Sequence, residues 1–176
     1  NKVNFNAGGF NTSAMSAFTF EGITTAWNNW NPNRITTSLG NINSSNIAAL
    51  IWVGGQGFRL QFETGGSAST IYWNNANIGI DKGESYAWSI VYDGSQATNA
   101  DRMKLYVNGV LKSQSTTPTI PTTLTNDGTI QITSTHTNYS SYAEIGGYLG
   151  YWERALSGDE LAANQTWKEE IWAVAP

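Results

Sequence analysis

The dipeptide Asn108-Gly109 lies between two runs of alternating apolar and polar residues, Met103–Val107 and Val110–Gln114. A two-residue hairpin turn of this kind needs φ > 0 at both central positions, which Asn tolerates and Gly adopts freely. Met103, Leu105 and Val107 share one face of the strand before the turn, and upstream Trp88, Ile90 and Tyr92 share one face of another. The segment Trp88–Gln114 therefore reads as a three-strand meander, with strands at 87–92, 103–107 and 110–114. Its first link is the polar loop Asp93–Arg102 and its second is the tight turn.

The same alternation recurs along the chain. Val3–Phe5 forms a short first strand, and residues 15–23 a second, with Phe18 and Phe20 inward and Thr19 and Glu21 outward. A polar aromatic loop, Trp27–Arg34, comes before a nearly continuous apolar strand at Ile47–Val53. Phe58, Leu60 and Phe62 then alternate with Arg59, Gln61 and Glu63, the pattern of a sheet buried on one side. Thr64–Ser67 turns the chain into Thr70–Trp73; Asn74–Asn77 turns it again toward Ile78–Ile80 and the meander. Beyond a Thr/Pro-rich loop at 115–128, strands are expected at Thr129–Thr133 and within Ala143–Trp152, separated by a polar loop that carries the only His. Ser157, with Glu160 three residues on and Leu156 and Leu161 at the staple positions, starts a short helix at Gly158 that runs past Ala163. The tail Trp167–Val174 fits either a continuation of that helix or a terminal strand.

Short strands with a turn signal every 8–12 residues or so, and almost no helix, specify an all-β antiparallel two-sheet β-sandwich. At 176 residues the chain is read as one domain, 1–176, burying about 70% of its unfolded surface. It opens on Asn1 and enters a strand pattern almost at once, as a piece processed or excised from a longer product would. Charged residues are 12%, against about 25% in ordinary domains. The net charge of −4 and the lack of a basic stripe argue against nucleic acid. No apolar run approaches the roughly 20 residues of a membrane span, and zero Cys removes disulfides and thiolate metal sites.

Four segments together resemble a known family: Trp88–Ser95, Leu105–Leu111, Ile145–Gly147 and Arg154–Leu161, which holds Arg-Ala-Leu-Ser-Gly-Asp-Glu-Leu. In order and spacing they look like the laminin-G-like branch of the concanavalin A-like lectin/glucanase jelly rolls, over about 165 residues. The motif positions are turn residues and core, so the resemblance implies a jelly roll and leaves function to be argued from sites. Hydrolases of that superfamily carry paired carboxylates in a Glu-x-Asp-x-x-Glu type of strand motif, and no Glu-x-Asp occurs here. Similar lyases use a face such as Arg59, Gln61 and Glu63 but add Gln-x-His and Tyr/Lys-rich strands, which this chain lacks. That row reads as a solvated or inter-domain face, and no catalytic residue is assigned. Relatives often hold Ca²⁺ at the loop edge. Asp93 and Asp101 would supply hard oxygen donors for it, but Asp-Gly-Ser is also ordinary turn chemistry, so no cofactor is assigned.

Sugar recognition needs aromatic faces for the C–H side of a ring and amides or hydroxyls for its OH groups. Three loops have that mix. The first offers Trp27, Asn29, Trp30 and Arg34, the second Tyr72, Asn74 and Asn75, the third His136, Asn138 and Tyr139. Trp30, between two Asn and before Pro32, is the foremost candidate, whereas Trp73 ends an alternating strand and belongs to the core. The sequons at Asn11, Asn43, Asn138 and Asn164 are no more than an Asn-, Ser- and Thr-rich chain supplies by chance.

These features point first to a non-catalytic glycan-binding or adhesion domain outside the cell, contacting a glycan or cell-surface polysaccharide. They also fit a structural domain of a phage or viral particle or a bacterial surface protein. A lyase or hydrolase is a distant third. The aromatic tail with Trp167, Ile171 and Trp172 is where a parent protein or neighbouring subunit would dock, should it fail to pack on its own sandwich.

Overall fold

The computed structural model describes residues 3–6, 14–25, 35–39, 46–54, 57–79, 85–115, 118–125, 129–132 and 145–174. In chain order the elements are β1 (Val3–Asn6), β2 (Ala17–Thr25), β3 (Ile35–Leu39), β4 (Ile47–Gly54), β5 (Gly57–Thr64), β6 (Ser67–Asn74), the single helical turn α1 (Asn75–Ile78), β7 (Ser85–Asp93), the turn α2 (Asn99–Arg102), β8 (Met103–Val107), β9 (Val110–Lys112), β10 (Thr129–Ile132), β11 (Ile145–Trp152) and the helix α3 (Gly158–Val174). The strands form a six-stranded sheet in the order β1-β10-β3-β4-β5-β6 and a five-stranded sheet in the order β11-β2-β7-β8-β9. All pairings are antiparallel, so the expected two-sheet jelly-roll sandwich is what the chain builds.

The meander forms as its pattern requires. Asn108 and Gly109 have φ of 48° and 74°, and the Asn108 side chain accepts a hydrogen bond from Ala87 N at 3.0 Å, tying the turn back to β7. The third strand stops at Lys112, two residues earlier than expected. Phe18, Phe20, Trp88, Ile90, Tyr92, Met103 and Leu105 from one sheet meet Phe58, Leu60, Phe62, Ile71 and Trp73 from the other in a single buried cluster. Phe58 links the layers, 6.0 Å from both Trp73 and Trp88. Pro118–Leu124 closes one side of this core. Ile120 and Leu124 are buried, Met15 and Leu124 exchange backbone hydrogen bonds, and the Tyr92 hydroxyl donates to Pro121 O at 2.8 Å.

The structure adds to the sequence reading in several places. Ile78 ends the helical turn α1, and Ile35–Leu39, one short run among polar residues, forms the additional strand β3. The helix after Ser157 is 17 residues long, so the tail prolongs it instead of pairing as a strand. Its start is a capping box: Glu160 N donates to Ser157 Oγ at 3.3 Å and Ser157 N donates to Glu160 Oε2 at 2.8 Å. Finally, Thr19 and Glu21 do point away from the sandwich core, yet neither reaches solvent. The helix α3 covers that outer face of the five-stranded sheet, where Leu156 and Leu161 pack on Val91.

Candidate functional site

The outer face of the six-stranded sheet, turned away from the sandwich core, carries the strongest recognition chemistry among the described residues. The two-residue turn Gly65-Gly66 fixes the β5–β6 register, which puts Arg59 opposite Tyr72 and Gln61 opposite Thr70. Phe58, Leu60, Ile71 and Trp73 fill the core side, so Arg59, Gln61, Glu63, Thr70 and Tyr72 line the other side, all half-buried. The Arg59 guanidinium lies 5.4 Å from the Tyr72 ring centroid and its Nη2 reaches Gln61 Oε1 at 3.5 Å. Stacking on Tyr72 orients the guanidinium fork, which sets a cation beside an aromatic ring on this face. Trp52 on β4 is Arg59's register partner on the other side. At the end of β6, the backbone N of exposed Asn74 donates to Ser115 Oγ at 3.1 Å, and Asn77 Nδ2 donates to the same oxygen at 3.2 Å. A stacking ring, a cation and an amide-rich edge are what a sugar ring with hydroxyl or carboxylate substituents requires.

Of the residues expected from sequence, Tyr72 and Asn74 fall at this site, and Asn75 opens α1 next to it. Trp73 is core as expected, fully buried with Nε1 donating to Lys112 O at 3.2 Å. Trp27, Asn29, Trp30, Arg34, His136, Asn138 and Tyr139 lie outside the described residues. Arg59 reads from sequence only as part of a solvated or inter-domain face, yet counting back from the two-residue Gly65-Gly66 turn pairs it with Tyr72.

The loop Asp93–Arg102 is closed on itself. Asp93 Oδ1 accepts from Ser95 N at 3.0 Å and Ser95 Oγ at 2.6 Å, and Oδ2 accepts from Gln96 Nε2 at 2.7 Å. The Ser95 hydroxyl first, then Gln96, hold this carboxyl below its ordinary pKa. Asp101 accepts from Thr98 Oγ1 at 2.6 Å, while Thr98 caps α2. Both carboxylates are thus engaged by their own loop. Among the described residues no three His, Cys, Asp or Glu side chains converge as a metal site.

Beneath α3 lies a polar cluster that sequence reading did not find. Lys168 Nζ sits 2.9 Å from Glu21 Oε1, with the two side chains 1% and 0% exposed. Ser89 Oγ donates to Glu21 Oε1 at 2.5 Å and Asn164 Nδ2 to Oε2 at 3.1 Å. The Tyr148 hydroxyl also bonds Glu21; its pKa is raised, chiefly by burial and further by that carboxylate. Burial lowers the Lys168 pKa, against the opposing pull of Glu21. Every member of the cluster is paired to another, so it docks the helix and leaves no group poised for chemistry. Asn164, formally a sequon residue, is committed here.

No sequence family and no characterised protein matches the chain in sequence. In structure it is similar to the binding domain of botulinum neurotoxin serotype G, at 12% identity and a TM-score of 0.68, over 95% of this chain and 40% of that one. The ligand binding domain of botulinum neurotoxin serotype D, solved in complex with N-acetylneuraminic acid, gives 11% and 0.66 over 96% and 40%. The native heptameric SAP-like pentraxin from Limulus polyphemus gives 18% and 0.53 over 85% and 69%. The chain thus spans about two-fifths of the toxin binding domains' length. At these identities the likeness is one of fold alone, a two-sheet jelly-roll β-sandwich.

Proposed function

We propose that the chain is a non-catalytic carbohydrate-binding domain displayed outside the cell, which contacts a glycan or cell-surface polysaccharide through the Arg59–Tyr72 face. The observation that carries this reading is the guanidinium held 5.4 Å from the tyrosine ring centroid on the outer face of the six-stranded sheet, edged by Asn74 and Asn77. The structural neighbours support it: one is solved with N-acetylneuraminic acid, and another, of botulinum neurotoxin type C, is described by its dependence on two ganglioside molecules. Glu63 is the only carboxylate in the strands of the six-stranded sheet, so those strands lack the carboxylate pair that glycoside hydrolysis uses. No described helix is long and apolar enough to cross a membrane.

A glycan array, run with and without EDTA, tests the proposal. Binding to a defined set of glycans is expected in both conditions, and silence across the array would overturn it. One observation favours the second reading, a structural domain docking on protein: Val110, Leu111 and Trp167 are 57%, 53% and 48% exposed. Trp167 nonetheless stacks edge-on against Tyr148 of its own sheet, with ring centroids 5.2 Å apart. Sedimentation of the purified chain as a stable oligomer, together with array silence, would favour that reading.

A further inference from the structure

On the opposite side of the molecule, α3, the start of β7 and the β8–β9 turn enclose a pocket of about 320 Å³. This is near the lower end of the roughly 300–1,000 Å³ usual for small-molecule sites, and suits one or two sugar rings. Ile23 and Ala87, from the outer face of the five-stranded sheet, make it apolar on one side. Asn108, Gln165 and Glu169 contribute polar groups, and Gln165 Cγ packs within ordinary contact distance of where a Cβ on Gly109 would stand, so helix and turn touch.

The hydrogen bonds already made leave a defined remainder. Asn108 Oδ1 is taken by Ala87 N, and Gln165 Nε2 donates to Glu169 Oε1 at 3.0 Å. Among the described residues, Asn108 Nδ2 remains as a donor, and Gln165 Oε1 and Glu169 Oε2 remain as acceptors. The Lys168 charge is neutralised within the buried cluster by Glu21, so Glu169 sets the sign of the pocket.

We propose that this pocket is a second site, for a neutral hexopyranose: the C–H face of the ring rests on Ile23 and Ala87, and its hydroxyls bond Asn108, Gln165 and Glu169. Sugar acids are disfavoured, because a carboxylate would meet Glu169 and, among the described residues, no uncommitted cation lines the pocket to offset it. This inference rests on the glycan-recognition reading for its ligand class, though it uses none of the same residues.

The test is saturation-transfer NMR and calorimetry with glucose, galactose, mannose and N-acetylneuraminic acid, using the wild type, Gln165→Ala and Tyr72→Ala. Gln165 is partly exposed and bonds only Glu169 among the described residues, and thermal melts of both variants should match the wild type. At least one neutral hexose should bind the wild type and Tyr72→Ala alike, and bind Gln165→Ala at least tenfold more weakly. N-acetylneuraminic acid should be silent at the pocket and gain a signal in Glu169→Gln. Hexose binding lost in Tyr72→Ala but kept in Gln165→Ala would overturn the pocket and leave the sheet-face reading standing. So would array-positive glycans with no hexose signal. Silence of every sugar in both assays would overturn both.

Discussion

Lys168 Nζ lies 2.9 Å from Glu21 Oε1 with both side chains shut from solvent, so α3 is pinned to the five-stranded sheet by a buried ion pair. Removing one partner of such a pair leaves an uncompensated charge, at a cost of about 3–5 kcal/mol. Lys168→Met should therefore lower stability in urea by about that amount. The double variant Glu21→Gln, Lys168→Met should recover most of the loss, because neither residual group is charged. A double-variant loss equal to the sum of the separate Glu21→Gln and Lys168→Met losses would show that the pair contributes nothing as a pair.

Packing against Trp88 gives a second expectation. A Cβ on Gly22 would overlap the Trp88 indole, which is held by Nε1 donating to Thr24 Oγ1 at 2.9 Å. Gly22→Ala should cost about 1–3 kcal/mol as overpacking and should shift Trp88 fluorescence. A neutral substitution would mean that the indole can move aside.

Acid sensitivity follows from two carboxylates. Arg154 first, and Ser157 next, lower the Glu160 pKa from 4.5 to about 2, and Ser95 and Gln96 hold Asp93 below 3.8. The fold favours the ionised form of each group. The stability each contributes is therefore complete above its ordinary value and is lost as pH falls through the folded value. Tm measured from pH 5.5 to 2.5 should fall toward acid, and Glu160→Gln should flatten part of that slope.

These residues also show how much could be read in advance. The meander and the capping box were legible because each is local: a turn needing two positive φ values, and two side chains three residues apart. The roof over Glu21 was not. Strand alternation says only that Glu21 leaves the sandwich core, not that a helix 140 or so residues later will cover it. That helix gives little sign of its buried face. Leu161, Asn164 and Lys168 are at i, i+3 and i+7, and only the first is apolar. At the candidate site Tyr72 falls both in the expected strand Thr70–Trp73 and among the loop candidates, and it sits within β6. Arg59 was within reach only through register, which demands trust in one Gly-Gly turn.

The Asp93 loop yields a prediction about metal. Its carboxylate is saturated by Ser95 and Gln96, so Asp93→Ala should cost about 1–2 kcal/mol from the lost hydrogen bonds. Millimolar Ca²⁺ should leave the Tm of the wild type unchanged. A Ca²⁺-dependent rise in Tm that Asp93→Ala abolishes would instead place an ion in the loop.

The most direct test of glycan recognition on the six-stranded sheet is calorimetry with the tightest-binding glycan from the array, comparing wild type with Tyr72→Ala. The ring is half-buried and points away from the sandwich core, so the variant should still fold, with a cooperative melt that checks it. Its affinity should fall at least tenfold, equivalent to about 1.4 kcal/mol of lost stacking and guanidinium orientation. Undiminished affinity in a folded Tyr72→Ala would contradict the assignment of that face.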